Sequence, residues 1–294
     1  MTPGLRDASG GGPGDAPGGM GSGLRALLAV TRKELRVLRR YPLSLLNSLL
    51  LTPLYQLVLP AVLLGAAFLV HGRALGMSAL TGTTDFGGWL AIGLVGAILT
   101  GTVLSGPAQA MAGERNLGTL EQAWTMPVSR SALVLGYMGG MMALSLLSAL
   151  TMVGAIALLF GVHYQWTAVL SFAVLAALLP GLVGMGFLSA SLVLLWRQAL
   201  GVTENLGYVV TVMSGVTFPV AVISSALQPV SYLIPTTWAI DLARYLALGT
   251  TPFVPPGAEA GALVLTSAGY LWAGRRLFAR VERKVRLEGT VAQH

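Results

Sequence analysis

The sequence contains no cysteine and only two lysines, and each shortage excludes a kind of site. Without cysteine the chain forms no disulfide bond and no thiolate metal site. The lysines, Lys33 and Lys284, are followed by Glu34 and Val285, whereas the Walker A loop that binds ATP needs Ser or Thr after its lysine. The chain therefore cannot hydrolyse ATP alone.

Histidine is almost as scarce, with three residues that lie in two predicted outer loops and in the tail. Neither a zinc site nor a histidine-based catalytic set follows from that spacing. The carboxylate cluster that a membrane-embedded transferase would need is also absent from the sequence. We therefore predict that the chain has no catalytic residues, binds no metal and holds no cofactor of its own.

Charged residues make up only 10% of the chain, whereas 54% is hydrophobic, which is too apolar for a water-exposed surface. Runs of about 18 or more apolar residues are long enough to cross a bilayer as helices. Such runs predict five spans, at residues 45–70, 88–112, 131–160, 168–196 and 257–274. Residues 205–248 are apolar but interrupted by Pro219, Pro229 and Pro235, which predicts a sixth span at 205–218 followed by a re-entrant helical pair. The predicted fold class is an all-α polytopic membrane protein with six transmembrane helices.

Positive charge predicts the orientation of these spans. With the N-terminus inside, the cytoplasmic pieces hold 7, 2, 1 and 6 of the basic residues, or 16 of the 18 Lys and Arg. Both termini are therefore predicted to be cytoplasmic. The same bias accounts for the net charge of +7, and a nucleic-acid partner is not predicted because no soluble basic domain is present.

The N-terminal region divides into two predicted segments. Residues 1–23 form a Gly/Pro-rich tail without periodicity, which predicts disorder. Residues 24–41 form an amphipathic interfacial helix whose arginines reach anionic lipid. This helix is either a plain membrane anchor or also contacts a cytoplasmic partner through Arg32, Lys33 and Glu34.

Residues 113–136 form a short charged segment between two uncharged spans. Gly118 breaks a helix there, and Thr119 is a suitable N-cap for a short helix that follows. Leu117, Leu120 and Trp124 fall on one face of the segment. A solvated loop would need only polar turn residues, so an apolar face beside carboxylates favours a surface that docks onto a soluble partner.

Three blocks of sequence resemble one transporter family. Residues 114–121 read Glu-Arg-Asn-Leu-Gly-Thr-Leu-Glu and are followed by Pro-Val-Ser-Arg at 127–130 and by Gly136. This pattern resembles that of ABC-2 permeases of the ATP-binding-cassette transporters, of the daunorubicin-resistance kind. The basic helix before the first span and the block of Phe218-Pro219 with residues 234–244 are similar to two further blocks of that family.

The resemblance implies a permease subunit in a bacterial plasma membrane, with residues 42–274 as its six-span domain and 275–294 as a basic cytoplasmic tail. It would pair with a second permease, either an identical copy or a paralogue, and with two ABC ATPase subunits that bind ATP and Mg²⁺. Residues 114–126 would be the coupling helix that receives force from the ATPase. The implied coupling residues are Glu114, Arg115, Leu117, Gly118, Thr119, Leu120, Glu121, Trp124, Pro127, Arg32, Lys33 and Glu34.

The uncharged spans indicate the kind of substrate. The first four spans contain no Asp, Glu, Lys or Arg, which disfavours an ion-coupled secondary transporter. A pathway between two protomers would suit a hydrophobic or amphipathic molecule, such as a drug or a lipid, and export is favoured because the family is mostly exporters. Polysaccharide or glycolipid export is the alternative. Pathway candidates are Tyr55, Gln56, Ser105, Gln109, Thr211, Met213 and Ser214.

The late block supplies candidates for an outer gate, namely Phe218, Pro219, Pro235, Asp241 and Arg244. Asp241 and Arg244 stand three residues apart on one predicted helix, so their side chains can pair. That pair is either a structural ion pair at the outer membrane edge or part of a gate on the exit path.

Overall fold

The computed structural model describes residues 81–83, 85–116, 130–196 and 199–288, with five single positions nearer the N-terminus (Arg32, Arg36, Leu43, Leu46 and Asn47). In these ranges the secondary structure is helical, without strands. We number the helices α1 to α7 in chain order: α1 Phe86–Asn116, α2 Arg130–Phe160, α3 Ser171–Leu195, α4 Ala199–Met213, α5 Gln228–Leu233, α6 Pro235–Leu248 and α7 Pro256–Glu288. Short 3₁₀ helices at Trp166–Leu170 and Val220–Val222 precede α3 and α5.

Three described helices are long and apolar enough to cross a membrane, at Phe86–Gly113, Ser131–Leu158 and Trp166–Leu195. They coincide with the predicted spans at 88–112, 131–160 and 168–196, because uninterrupted apolar runs of this length leave the backbone no alternative to helix within a bilayer. The predicted span at 45–70 lies outside the described residues apart from Leu46 and Asn47. The count of six spans stays a prediction.

The helices pack around a core that α1, α3, α6 and α7 share. Leu99 and Val103 of α1, Leu182 of α3 and Leu263 of α7 are among its fully buried side chains. The closest approach joins α3 to α7, where a Cβ atom added to Gly184 would lie 2.2 Å from the carbonyl carbon of Tyr270. Glycine at this position therefore lets two helix backbones touch.

The C-terminal half differs from the sequence prediction in its boundaries. Helix α4 begins six residues before the predicted start at residue 205 and ends at Met213, because Gly215 adopts a left-handed φ of +73° that stops the helix. Helix α7 runs through the predicted last span and continues to Glu288, into the predicted basic tail. The sequence prediction counted only apolar residues, whereas the charged residues after 274 continue the same helix.

Between α4 and α7, short helices occupy the region where the sequence predicts a re-entrant pair. Helix α5 has 6 residues and α6 has 14. At 1.5 Å per residue, α6 is about 21 Å long, which is shorter than the roughly 30 Å of hydrocarbon in a bilayer. Their lengths agree with a re-entrant pair, which itself stays a prediction.

Candidate functional site

Arg244 of α6 is the most connected polar residue among those described. Its side chain is 3% exposed, and its nitrogens donate to three backbone carbonyls. Nε donates to Trp89 O at 3.1 Å, Nη1 to Gly215 O at 2.9 Å and Nη2 to Val216 O at 2.8 Å. These acceptors belong to the first turn of α1 and to the segment that follows α4. One guanidinium therefore joins three parts of the chain.

The indole ring of Trp89 covers the same guanidinium, with 3.4 Å between Arg244 Cζ and the ring centroid. Gly93, one turn further along α1, leaves room for it: a Cβ there would lie 2.4 Å from Arg244 Nη2. Stacking on an indole face stabilises a desolvated cation. The loop between α2 and α3 also reaches this end of the bundle, where Gln165 N donates to Ala247 O at 2.9 Å. We call it the Arg244 end.

Asp241 has different partners from those that the sequence predicts. The expected ion pair with Arg244 is replaced by the carbonyl bonds of Arg244, and Asp241 contributes an opposite charge to it from one turn away. The carboxylate of Asp241 instead accepts from the backbone N–H of Phe253, at 3.0 Å from Oδ2. The sequence prediction considered only neighbours on one helix, whereas the folded chain brings stronger partners from other elements.

The same Phe253 N–H lies 3.0 Å from Oε1 of Glu259, in the first turn of α7. Two carboxyl groups that share one donor stand side by side, and Glu259 is fully buried. The second oxygen of Glu259, Oε2, has no hydrogen-bond partner among the described residues. The pair therefore fastens the α6–α7 loop to the start of α7.

Aromatic rings surround this loop. The ring of Phe253 meets that of Trp238 with centroids 6.5 Å apart and that of Tyr232 at 6.1 Å, both near perpendicular. Trp238 Nε1 donates to Tyr232 O at 2.8 Å, which ties α6 back to α5. The rings of Tyr232, Trp238 and Phe253 therefore connect α5, α6 and the α6–α7 loop.

The remaining outer-gate candidates lie in the same region without a common contact. Phe218 is 38% exposed, and Pro219 precedes the 3₁₀ helix Val220–Val222. Pro235 is buried at the first position of α6, where its missing N–H costs no hydrogen bond. Their role as a gate stays a prediction.

Two pathway candidates have hydroxyls that bond within their own helical turns. Ser105 Oγ donates to Gly101 O at 2.8 Å, and Ser214 Oγ donates to Val210 O at 2.7 Å. Each hydroxyl has thereby used its one donor and offers a substrate only acceptor capacity. The two residues belong to different helices, α1 and the end of α4.

The other pathway candidates differ in exposure. Gln109 is exposed on α1, Thr211 is half-buried on α4, and Met213 packs against the main core. Tyr55 and Gln56 lie outside the described residues. A shared pathway for these residues stays a prediction.

Most of the predicted coupling segment lies outside the described residues, namely Leu117, Gly118, Thr119, Leu120, Glu121, Trp124 and Pro127. Glu114 and Arg115 belong to the last turn of α1. In the predicted basic helix, Arg32 is helical and exposed, whereas Lys33 and Glu34 are outside the described residues.

Sequence reasoning missed three residues of the Arg244 end: Trp89, Phe253 and Glu259. Glu259 carried a usable signal, because an acid inside a predicted span indicates a specific buried partner. Trp89 and Phe253 carried none, since their backbone contacts use atoms that every residue has and no local spacing predicts their ring contacts. Over the described ranges, no group of three or more His, Cys, Asp or Glu could hold a metal ion.

Comparison with known proteins identifies the family. A family model described as ABC-2 type transporter matches residues 25–248. The matched range contains α1 to α6 and ends at the last residue of α6. A search of curated proteins finds no match. Because the family model covers well over half of the 294 residues, the chain belongs to the ABC-2 type transporter family.

Proposed function

We propose that the chain is the transmembrane permease subunit of an ABC exporter that moves a hydrophobic or amphipathic molecule outward. Separate ATPase subunits would supply the energy by pushing on residues 114–126. The observation that carries this proposal is the family match, which spans the whole region from the basic N-terminal segment to the end of α6.

The arrangement of α1 and α2 supports the position of the coupling loop. Trp89, in the first turn of α1, touches Arg244, and Asn116 ends the same helix 27 residues later. At 1.5 Å per residue, this is about 40 Å away. Helix α2 starts at Arg130 and packs back along α1. The chain therefore leaves α1 and enters α2 far from the Arg244 end, where a soluble partner would have access.

The exposed face of α4 supports a second permease subunit, identical or paralogous. Glu204, Asn205 and Tyr208 are exposed on this face, and Val209 and Val212 are about half exposed. An acid and an amide are costly against lipid tails, so polar residues on a membrane helix usually face protein or a water-filled path. A second protomer at α4 would provide both.

The described helices also support an uncharged, amphipathic substrate. Some polar side chains of the long helices pair with one another, as Thr102 Oγ1 and Ser145 Oγ do at 2.6 Å. Thr100 Oγ1 and Thr236 Oγ1 pair likewise at 2.9 Å, between α1 and α6. Such groups offer hydrogen bonds and no fixed charge, which suits a molecule with a large apolar body.

Replacement of Leu120 or Trp124 by Asp tests the coupling. We expect each variant to insert normally but to lose export, because a charged side chain in an apolar docking surface removes a central contact. Co-purification with the ATPase subunits should fall at least about tenfold, which corresponds to roughly 1.4 kcal/mol of binding.

The matched control is Leu287→Asp, which makes the same change at a leucine that is 82% exposed near the end of α7. It should retain export and ATPase binding. Normal export by both loop variants, or transport by the purified chain down an ion gradient without any ATPase, would contradict the proposal.

A further inference from the structure

An apolar pocket of about 330 Å³ opens at the side of the bundle, near the Arg244 end. Its walls come from the first half of α1, the last part of α2 and the first turns of α3, and α6 forms the fourth side through Ala239 and Ala243. The volume is within the range of about 300–1,000 Å³ that is usual for ligand pockets. None of the residues that we assign to coupling or transport lines it.

The mouth of the pocket faces the bilayer. Leu150, Val169 and Phe172 line it and are 49%, 69% and 58% exposed. Leu150 and Phe172 belong to helices long and apolar enough to span the membrane. Trp166 is 84% exposed and is the first residue of the candidate span Trp166–Leu195. Tryptophan is enriched at the headgroup level of a membrane. The mouth of the pocket therefore faces lipid instead of water.

Two polar residues interrupt the apolar wall, and both carry an unsatisfied hydroxyl. Tyr164 and Ser171 line the pocket, and the buried atoms Tyr164 Oη and Ser171 Oγ have no hydrogen-bond partner within the protein. Unpaired buried hydroxyls are uncommon because each forfeits the bonds that it made to water. Tyr164 lies between two candidate spans, so these hydroxyls are close to the membrane boundary.

The tyrosine hydroxyl is a donor at every physiological pH. Burial and the negative charge of Asp85 raise the pKa of Tyr164 to about 12, which keeps the phenol protonated. Serine always carries its proton. Both groups therefore need an acceptor, such as an ester carbonyl.

We propose that this pocket binds one acyl chain of a membrane phospholipid, with the chain among α1, α2, α3 and α6 and its ester carbonyl accepting from Tyr164 and Ser171. In a phospholipid, the ester oxygens lie near the headgroup and the hydrocarbon chain extends away from them. The pocket has the same order, with its two hydroxyls close to the membrane boundary and apolar side chains along the rest of its wall. Because the lipid lies against α6, on which Arg244 also stands, its binding stabilises the packing of that helix. The proposal requires a membrane-embedded chain but no ATPase, so it stands or falls separately from the proposed export activity.

Photolabelling locates the lipid. The full-length protein is reconstituted in vesicles that contain phosphatidylglycerol with a diazirine in one acyl chain, and the labelled peptides are mapped by mass spectrometry. We expect label in the last turns of α2 and the first turns of α3. Val153→Trp fills the pocket and should reduce this label at least about fivefold by competition for the site. Leu158→Trp, at an 87% exposed position of α2 outside the pocket, should leave it unchanged.

Removal of the two hydroxyls tests whether they bind the ester carbonyl. It also distinguishes a loss of lipid binding from a loss of protein stability. In lipid-free detergent, Tyr164→Phe and Ser171→Ala should unfold at the same or a higher temperature than the native chain, since each removes an unpaired polar atom. Ester-linked phosphatidylglycerol should stabilise the native chain more than the ether-linked form, which lacks the carbonyl. The double variant should lose that difference, and Tyr208→Phe, at a tyrosine 73% exposed on α4, should retain it.

Three results would overturn the proposal. These are labelling that Val153→Trp does not reduce, an ester preference that survives in the double variant, and labelling that appears only during ATP-driven turnover. The last would identify the occupant as transported cargo instead of a resident lipid. Failure of export with intact labelling would count against the proposed function alone.

Discussion

At the scale of single residues, the hydrogen bonds of Arg244 join α6 to the start of α1 and to the segment after α4. A guanidinium keeps its charge at all physiological pH values, and its planar fork can serve several acceptors at once. Here three carbonyls and one indole ring satisfy it, so the burial of a full charge is compensated. A shorter side chain would deprive the Gly215 and Val216 carbonyls, which lie beyond the end of α4, of this charged donor.

Substitution of Arg244 should therefore destabilise the protein strongly. We expect Arg244→Gln to lower the free energy of unfolding by about 2–4 kcal/mol, because two or more carbonyls lose a charged donor. Arg244→Lys should recover only part of this loss, since an ammonium cannot span three acceptors. Thermal unfolding in detergent micelles measures both.

The control is a second Arg–Trp pair. Arg276 Cζ lies 4.7 Å from the ring centroid of Trp272, which is 61% exposed. Arg276→Gln should change the free energy of unfolding by less than about 1 kcal/mol, as is usual for exposed cation–π pairs. Equal effects at the two arginines would show that the carbonyl contacts do not stabilise the fold.

The fate of Arg244 shows what sequence spacing can and cannot predict at this scale. The i, i+3 spacing correctly put Asp241 and Arg244 on one helix, with opposite charges one turn apart. Trp89 O, the acceptor of Nε, is 155 residues away in sequence. No local pattern predicts a contact of that range, because backbone carbonyls look alike in every residue.

At the scale of elements, the contact between α3 and α7 depends on missing side chains. A Cβ at Gly184 would meet the backbone of Tyr270, and a Cβ at Gly274 would lie 2.2 Å from Gly184 O. Backbone atoms cannot rotate aside as a side chain can. Phe187 and Phe278 continue the contact further along the two helices, with ring centroids 5.2 Å apart.

Gly184→Ala should push the two helices apart. We expect a loss of about 1–3 kcal/mol in the free energy of unfolding, which is typical when a well-packed interface receives an extra methyl group. Denaturation in mixed micelles measures the change.

Gly269→Ala is the matched control, because a Cβ at Gly269 of α7 would have no atom within 4 Å. Alanine has a higher helix propensity than glycine, so this variant should be neutral or up to about 1 kcal/mol more stable. A Gly184→Ala protein as stable as the control would refute the close backbone contact.

The sequence predicted the helices well where an apolar run is long enough to cross the bilayer. The apolar runs of α1, α2 and α3 left helix as the one solution, and their predicted limits differ from the structure by a few residues. Helix α4 was less well predicted, because its first turns carry Glu204, and an apolar-run criterion excludes that residue. Its end was set by the conformation of Gly215, which composition alone does not indicate.

At the scale of the whole molecule, the contacts place the start of α1, the α2–α3 loop and the end of α6 together at the Arg244 end. The distribution of Lys and Arg predicts that this end faces outward and that the end of α7 faces the cytoplasm. The absence of cysteine from the sequence makes the orientation easy to measure, since introduced thiols have no background.

We expect His163→Cys, exposed in the α2–α3 loop, to react with a membrane-impermeant maleimide in intact cells. Leu287→Cys should react only after the membrane is permeabilised. The native chain serves as the unlabelled control. Labelling of Leu287→Cys in intact cells, with protection of His163→Cys, would reverse the predicted orientation.

The length and continuity of helix α7 determine how its two ends move relative to each other. Its 33 residues form one continuous helix, about 50 Å long at 1.5 Å per residue. Glu259 in its first turn holds the α6–α7 loop, and its other end carries the basic residues of the predicted cytoplasmic tail. A continuous helix is stiff, so a tilt of its basic end would also move the Asp241–Glu259 pair at the opposite end.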